Sequence, residues 1–291
     1  MKPLTRRHFA TIAATGISAV ALGGQWSFAG TQTKQCTLWQ LPDKSHINSY
    51  VLRTAGNELI VIDGGKKSNA AELRKFIMER GGHVHAWFIS HTHYDHVDAL
   101  TAILNEPGGV TIDRIYASLP DDEWMKKHQT AGAYNTQMRF KAALKKSEHK
   151  LLDLSPGQKI AFTGVTFEIL STVNPDITNN AVNNQSAVWR VDSSSGNSVL
   201  FLGDLGEEGG EKLLAGPYGK RVKADYVQMA HHGQAGVNEA FYKAVDPKYC
   251  LWPTPGWLWN SKKTPEVRAW MEKLNVEKHY VAKDGLQRID F

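Results

Sequence analysis

The sequence predicts an α/β fold in which strands and helices alternate and polar, ligand-type side chains collect at strand ends. Three observations carry that prediction. Short apolar runs bounded by Gly, Asn and Asp recur along the chain, as buried strands do. Helix-periodic stretches opened by capping residues lie between several of them. The hexad HTHYDH, residues 91 to 96, then places three histidines and an aspartate directly behind the apolar run AWFIS.

The first segment reads as an address, apart from the fold. Residues 1–29 carry Arg6 and Arg7, then a mildly apolar stretch, then Ser27-Phe28-Ala29 with small residues where a signal peptidase cuts. Thr5-Arg6-Arg7-His8-Phe9 resembles a twin-arginine export signal, whose cargo crosses the membrane already folded. Gly16, Gly23 and Gly24 interrupt the apolar run and leave it short for a membrane span, so a cleaved signal is expected, with an uncleaved anchor as the alternative. The expectation is a periplasmic or secreted chain over 30–291, delivered by the twin-arginine translocase, with no stable membrane span after cleavage. Losing Lys2, Arg6 and Arg7 would lower the net charge from +5 to about +2. No Lys/Arg stripe with interleaved aromatics marks a nucleic-acid patch, and Lys145-Lys146 and Lys262-Lys263 read as solvated faces. No linker, repeat or low-complexity tract divides the remaining length, so one domain is expected.

Tyr50 to Thr54 and Glu58 to Ile62 read as strands joined by Ala55-Gly56-Asn57, the second running into Asp63-Gly64-Gly65. A helix follows from Asn69, with Glu72 as capping partner, until Gly81-Gly82 stops it. Val84 to Ser90 reads as a buried strand, the hexad follows, and a helical stretch runs from about His96 to Leu104. Residues 121 to 150 are charged and helix-prone. Strands return at Lys159 to Leu170, Ala187 to Val191 and Val199 to Leu202, the last two joined by a hairpin turn over Asp192 to Asn197. Tyr226 to Ala230 and Lys248 to Trp252 are two further strands. Thr264-Pro265 opens a helix to about Asn275, and Lys283-Asp284-Gly285 is expected to turn a closing hairpin. Cys36 and Cys250 sit in apolar, strand-like runs and are expected as free buried thiols, although an oxidising compartment would permit a bridge.

The strand ends carry the chemistry. Asp63 ends one strand, the hexad follows another, Asp204 ends VLFLGD, and His231-His232 follow YVQMA. A single Asp there is ordinarily a turn residue. Four such ends, all Asp or His, fit a site built beyond the carboxyl ends of strands. Alternate residues of an extended chain project to one side, so His91 and His93 can reach a common point, leaving Asp95 and His96 for a second.

The order Asp63, His91-x-His93-x-Asp95-His96, Asp204, His231-His232 resembles the metallo-β-lactamase-fold hydrolases along nearly the whole chain after the signal. The resemblance implies a four-layer αββα sandwich with two divalent metal ions at the shared edge of its sheets, zinc first and manganese or iron as alternatives. By the same resemblance His91 and His93 bind one metal, Asp95 and His96 the other, and Asp204 bridges them. His231 or His232 completes the second site, and Asp63 orients the ligand loop by hydrogen bonds.

One departure narrows the chemistry. Lactamases, lactonases and thioesterases of this fold carry a further metal-binding histidine between the hexad and the bridging aspartate. Here that interval holds only His128 and His149, both in charged, helix-like sequence. Asn183-Asn184-Gln185-Ser186 and Ala230-His231-His232-Gly233-Gln234 instead resemble a subgroup that includes the hydrolase domain of DNA-uptake channel proteins and the phosphorylcholine esterases. In that subgroup an Asn-x-Ser segment fills the third-histidine position, which implies a small-molecule or cell-envelope phosphoester attacked by a metal-bridging hydroxide. Asp95, His232 and Asn184 are then the expected catalytic side chains: the second histidine of the pair or metal-bound water protonates the leaving oxygen, and Asn184 with Ser186 either donates to the phosphoryl group or forms a polar turn before the strand. Trp252, Trp257 and Trp259, broken by Pro253, Pro255 and Gly256, cannot all share one regular element. They are expected to wall the site, with Trp257 and Trp259 contacting substrate, or else to plug the core. Two other classes stay open: a lactamase- or lactonase-type hydrolase of a carbonyl, and a non-enzymatic metal-binding envelope protein.

Overall fold

The protein is described by a computed structural model over residues 35–42 and 44–291; the expected export signal lies outside these residues. In chain order the first half comprises β1 (Thr37–Gln40), β2 (Ser49–Arg53), β3 (Leu59–Asp63), α1 (Ala70–Met78), β4 (His83–Val84), β5 (Ala86–Phe88), α2 (Tyr94–Asn105), β6 (Thr111–Ile112), β7 (Ile115–Ala117), α3 (Asp122–His128), α4 (Ala131–Lys146) and β8 (Leu151–Asp153). The second half comprises β9 (Lys159–Phe162), β10 (Val165–Ser171), β11 (Val188–Ser193), β12 (Ser198–Phe201), α5 (Glu207–Ala215), β13 (Tyr226–Gln228), α6 (Glu239–Val245), β14 (Tyr249–Trp252), α7 (Gly256–Trp259), α8 (Pro265–Lys273), β15 (Lys278–Val281) and β16 (Gln287–Asp290).

Two seven-stranded sheets result, ordered β16-β1-β2-β3-β5-β7-β8 and β15-β14-β13-β12-β11-β10-β9, with β4 and β6 as a separate ribbon. Each sheet is antiparallel over its hairpin-connected strands and becomes parallel where helices make the crossovers, from β3 to β8 and from β12 to β15. Three apolar cores separate four layers. Tyr50, Phe88, Phe167, Trp189 and Phe201 fill the space between the sheets, with Phe88 stacked on Phe167 at 4.4 Å. Leu73, Ile77, Val97, Leu100 and Phe140 seal α1, α2 and α4 onto the first sheet. Leu213, Phe241, Val267 and Met271 seal α5, α6 and α8 onto the second. Each fully buried side chain of this kind contributes about 1.5–3 kcal/mol, so the three cores hold the layers in register. The αββα sandwich is the observed architecture.

Several local expectations change. Lys159 to Leu170 is a hairpin, β9 and β10, turning where Gly164 adopts φ 84°. The helix-prone stretch 121–150 divides into α3 and α4, with Thr130 capping the second helix through Ala133 N–H at 3.2 Å. The expected closing hairpin after Val281 does not form. Instead β15 pairs β14 in the second sheet, while β16 crosses to pair β1 in the first. Cys36 lies in the inter-sheet core and Cys250 under α8, and both thiols are free and buried.

Candidate metal centre

Four strands of the two sheets deliver their carboxyl ends to one place. Asp63 closes β3, the hexad follows β5 and runs into α2, Asp204 follows β12, and the Ala230–Gly233 turn follows β13. Backbone hydrogen bonds tie these ends together: Ala187 N–H donates to Ser90 C=O at 2.8 Å, and His231 N–H to Gly203 C=O at 3.1 Å. Gly203 has φ 54°, and a Cβ there would stand 2.8 Å from the Ser90 Cβ, so only glycine lets the loops approach. His231 and His232 both adopt left-handed backbone, φ 50° and 57°, ahead of Gly233 at 78°. Such conformations cost non-glycine residues about 1–2 kcal/mol each, and here they turn two successive imidazoles into the centre.

Two ligand groups converge on Asp204. In the first, His91 Nε2 and His93 Nδ1 stand 3.0 Å apart, and Asp204 Oδ2 is 3.9 Å from His91 Nε2. In the second, His96 Nε2 lies 3.2 Å from Asp204 Oδ1, while His232 Nε2 lies 3.1 Å from Asp95 Oδ2 and 3.6 Å from Asp204 Oδ2. His91, His96 and Asp204, and likewise Asp95, His96 and His232, bring their ligand atoms within 4.8 Å of one another. His96 Nε2, His232 Nε2 and Asp204 Oδ1 are buried, yet none has a hydrogen bond of proper geometry. Unmet nitrogen and carboxylate donors pointing at a shared space are the donor set of zinc and its transition-metal neighbours. The residues fit the metal that the sequence implies.

Electrostatics supports that fit. Burial, aided by the neighbouring His96, pushes the His91 imidazole well below its ordinary range, and burial also lowers His93, so both present lone pairs. Burial would also lower His96 and His232, but Asp204 overrides it, with Asp63 assisting at His96 and Asp95 at His232. His96 is held well above its ordinary value and His232 is raised to about 9. Burial would raise Asp204 and Asp95, but the facing histidines hold both carboxylates below their ordinary range. These groups exchange protons for a metal readily, because ligation and protonation compete for the same lone pairs.

Asp63 secures the ligand loop. Its Oδ1 accepts from Ser90 N–H at 2.7 Å; its Oδ2 accepts from Asn48 Nδ2 at 2.7 Å, Ser90 Oγ at 2.8 Å and His96 Nδ1 at 2.8 Å. The last bond fixes the His96 tautomer, leaving Nε2 for a metal.

The remaining expected residues fall into two sets. His232, fully buried, stands in the second ligand group with Nδ1 on Pro253 C=O at 3.1 Å. Its Nε2 is aimed at Asp95 and Asp204 inside the buried second group, which sets it among the ligand atoms and away from a substrate's leaving oxygen. His231 keeps a quarter of its side chain exposed and lies 4.0 Å from Asp204 Oδ2 on another side. Asn184 is also corrected: Oδ1 accepts from Gly206 and Gly209 N–H, and Nδ2 donates to Asn179 C=O. This buried amide serves to tie the turn to the start of α5 and to Asn179. Ser186 is fully buried, its Oγ accepting from Asp204 N–H at 3.1 Å and lying 3.3 Å from His91 Nδ1, so it orients ligands instead of touching substrate. Trp259 packs edge-on against buried Trp252, with Arg268 over its ring, as part of the α8 core. Trp252 in turn backs the Gly233 turn, where a Cβ would collide with its indole. Trp257 alone of the three is open, 53% exposed, with its ring 5.8 Å from His46. His149 bonds Ile112 C=O and Ser147, and His128 packs on Trp124, so neither supplies the third histidine.

His46 was not anticipated. It sits between β1 and β2, with Nε2 3.2 Å from Asp95 Oδ2 and its ring 5.2 Å from that of His232. Burial lowers its imidazole to about 4, partly offset by Asp95. Its loop, LPDKSHIN, has neither periodicity nor ligand spacing, so only the topology reveals it.

A model of the metallo-beta-lactamase superfamily matches residues 42–249, and the chain belongs to that superfamily. Fold and ligand set together are those of a metal-dependent hydrolase. Among solved structures, the metallo-β-lactamase-fold protein YhfI from Bacillus subtilis aligns with TM-score 0.55 at 14% identity, covering 88% of this chain and 100% of that one. Igni18, a metallo hydrolase from Ignicoccus hospitalis, gives 0.53 at 11%, covering 88% and 99%. CmlA, a diiron β-hydroxylase from Streptomyces venezuelae, gives 0.53 at 11%, covering 89% of this chain and 54% of its own. Likeness at these identities concerns the fold. No curated relative matches the chain.

Proposed function

We propose that the protein is an exported phosphoesterase, acting on a phosphodiester with two divalent ions, zinc or else manganese or iron, that share Asp204. The observation that supports this most is the approach of His91, His96 and His232 to the one buried Asp204 carboxylate. Phosphorus is favoured over a carbonyl carbon by the first group, where no third histidine joins His91 and His93. His231 stands 4.0 Å from Asp204 instead, with the Asn183 amide beside it. A position not filled by protein nitrogen suits a phosphoryl oxygen, and phosphoryl transfer depends chiefly on positioning and charge neutralisation. Bound ions would supply Lewis acidity toward the phosphoryl oxygen and acidify a water at neutral pH.

The chain's own residues do the rest. Asp63 and Ser90 hold the hexad rigid, Ser186 aligns His91 with Asp204, and the buried walls exclude bulk water from the ligand groups. Trp257, open beside His46, offers an apolar face to the organic group of the ester. His231, partly open, borders the first group with Nδ1 on the Ala235 C=O and Nε2 beside Asp204 and the Asn183 amide. The twin arginines at Arg6 and Arg7 support export through the twin-arginine translocase to the periplasm or beyond. Among the described residues no helix is long and apolar enough to cross a membrane. The test is turnover of bis-p-nitrophenyl phosphate and p-nitrophenylphosphorylcholine beside nitrocefin and a simple lactone, under zinc, manganese or iron. Turnover of the lactam or lactone alone would move the activity to carbonyl substrates. Metal binding without any turnover would favour a binding protein.

A further inference from the structure

The helices outside the first sheet leave a groove of about 600 Å³ between α1 and α4, with α2 as its floor. Each helix lines it in the same pattern, an alanine and, one turn on, a polar head: Ala71 with Arg74 on α1, Ala102 with Asn105 on α2, and Ala142 with Lys146 on α4. Residues three or four apart share one helix face, so the alanines hold the groove open and the heads close one end.

Contacts at both ends set the register. Arg139 Nη2 pairs with Asp98 at 3.1 Å and Lys146 Nζ donates to Asn105 Oδ1 at 3.4 Å, so α2 and α4 run side by side in one direction. Two cations stand at each end. Lys67 and Arg139 flank Asp98 where α2 begins, Lys67 near enough for its charge to act on that carboxylate. Arg74 and Lys146 stand where α2 finishes; Arg74 lies against Gly108, where φ is 56° and a Cβ would stand 2.7 Å from Arg74 Cδ.

Arg74 is the cation that the fold itself does not satisfy. Its Nε is buried without a hydrogen-bond partner, as are those of Arg80 and Arg268, but those two guanidinium groups lie over the rings of Phe76 and Trp259. Among the described residues Arg74 has neither a ring nor a carboxylate. A guanidinium withdrawn from water and left unmatched favours an anion beside it. The lining as a whole carries four cations against Asp98 and Glu106, and Asp98 is already held by Arg139.

We propose that this groove binds an extended organic dianion, with one acid group on Arg74 and Lys146, the other on Lys67 and Arg139, and the apolar middle along the alanines. Arg139 and Lys146 are two turns apart on α4, about 10 Å, which sets the length of the ligand. None of these residues belongs to the metal centre, so the site is independent of the reaction assigned there.

The experiment is calorimetric titration of the metal-loaded full chain with azelate, a linear dicarboxylate that spans this length when extended, beside the shorter succinate. Azelate should bind at least about tenfold more tightly, because succinate reaches one end only. Arg74→Gln removes a charge at one end and should weaken azelate roughly tenfold while leaving succinate less affected. Ala142→Phe, at an exposed position of α4, should fill the groove and abolish azelate binding. Both variants should keep the metal content of wild type, which separates their losses from any at the metal centre. Equal affinity for the two diacids, azelate binding unchanged in the two variants, or no binding to wild type would overturn the proposal.

Discussion

Replacing Asp63 by Asn keeps the volume and removes one charge from a fully buried position, so its effects can be worked from four hydrogen bonds. One amide face can still accept from Ser90 N–H. The other places NH₂ against Asn48 Nδ2, Ser90 Oγ and His96 Nδ1, of which only the serine hydroxyl can turn to accept. Two carboxylate-assisted bonds are lost at roughly 1.5–3 kcal/mol each, and partial relaxation leaves a stability loss of about 3 kcal/mol. The effect on function is more specific. His96 can recover a bond by moving its proton to Nε2, which is the nitrogen aimed at Asp204 and the second metal. The variant should therefore bind the second equivalent roughly 10- to 100-fold more weakly while the first is much less affected. Chemical denaturation of the chelated protein measures the first quantity, and competition with a calibrated chelator the second. A variant that loses stability yet keeps wild-type affinity for both ions would refute the idea that Asp63 sets the His96 tautomer.

Asp204→Ala should lose both equivalents of metal and His91→Ala only one, since the carboxylate is shared and the imidazole is not; elemental analysis after dialysis distinguishes them, and equal loss in both variants would contradict the two-group arrangement. In the metal-free protein His232 is raised from an ordinary 6.5 to about 9 against the pull of burial, so its stabilising contribution is complete below about 6.5 and disappears as pH rises through about 9. The melting temperature of chelated protein should accordingly fall across that window, whereas metal-loaded protein should not follow it, because ligation has already displaced the proton. Trp257→Ala should raise KM for a preferred phosphodiester roughly tenfold, about 1–2 kcal/mol, with kcat changing less; unchanged KM would detach this indole from substrate. Exchanging Arg6 and Arg7 for Lys should leave unprocessed protein in the cytoplasm, and a cleaved, periplasmic double-Lys variant would point to general secretion.

What the sequence disclosed, and what it withheld, follows from how far each signal reaches along the chain. The hexad was legible because a strand end can present several ligand side chains within six residues, and that density is hard to obtain from turn chemistry alone. Asp63 and Asp204 were legible through their place after apolar runs. The sheet assignment of β15 and β16 was not, since Lys283-Asp284-Gly285 specifies a local reversal equally well whether the next strand pairs with its predecessor or crosses to β1. Asn183 and Asn184 make the limit sharpest. They are chemically identical neighbours, and the sequence reading placed the catalytic amide on the second. In the short helical turn successive side chains diverge by more than a right angle, so one amide is spent on Gly206 and Gly209 while the other donates to Asn180 and lies beside His231. Composition cannot choose between them; only the phase of the turn, fixed by Gln185 on Asn174, does so. The same reasoning applies to the tryptophans. Trp252 and Trp259 became the wall that supports the strained His231-His232 turn, and the stretch expected to recognise substrate largely holds a ligand in place, leaving Trp257 as its single open face.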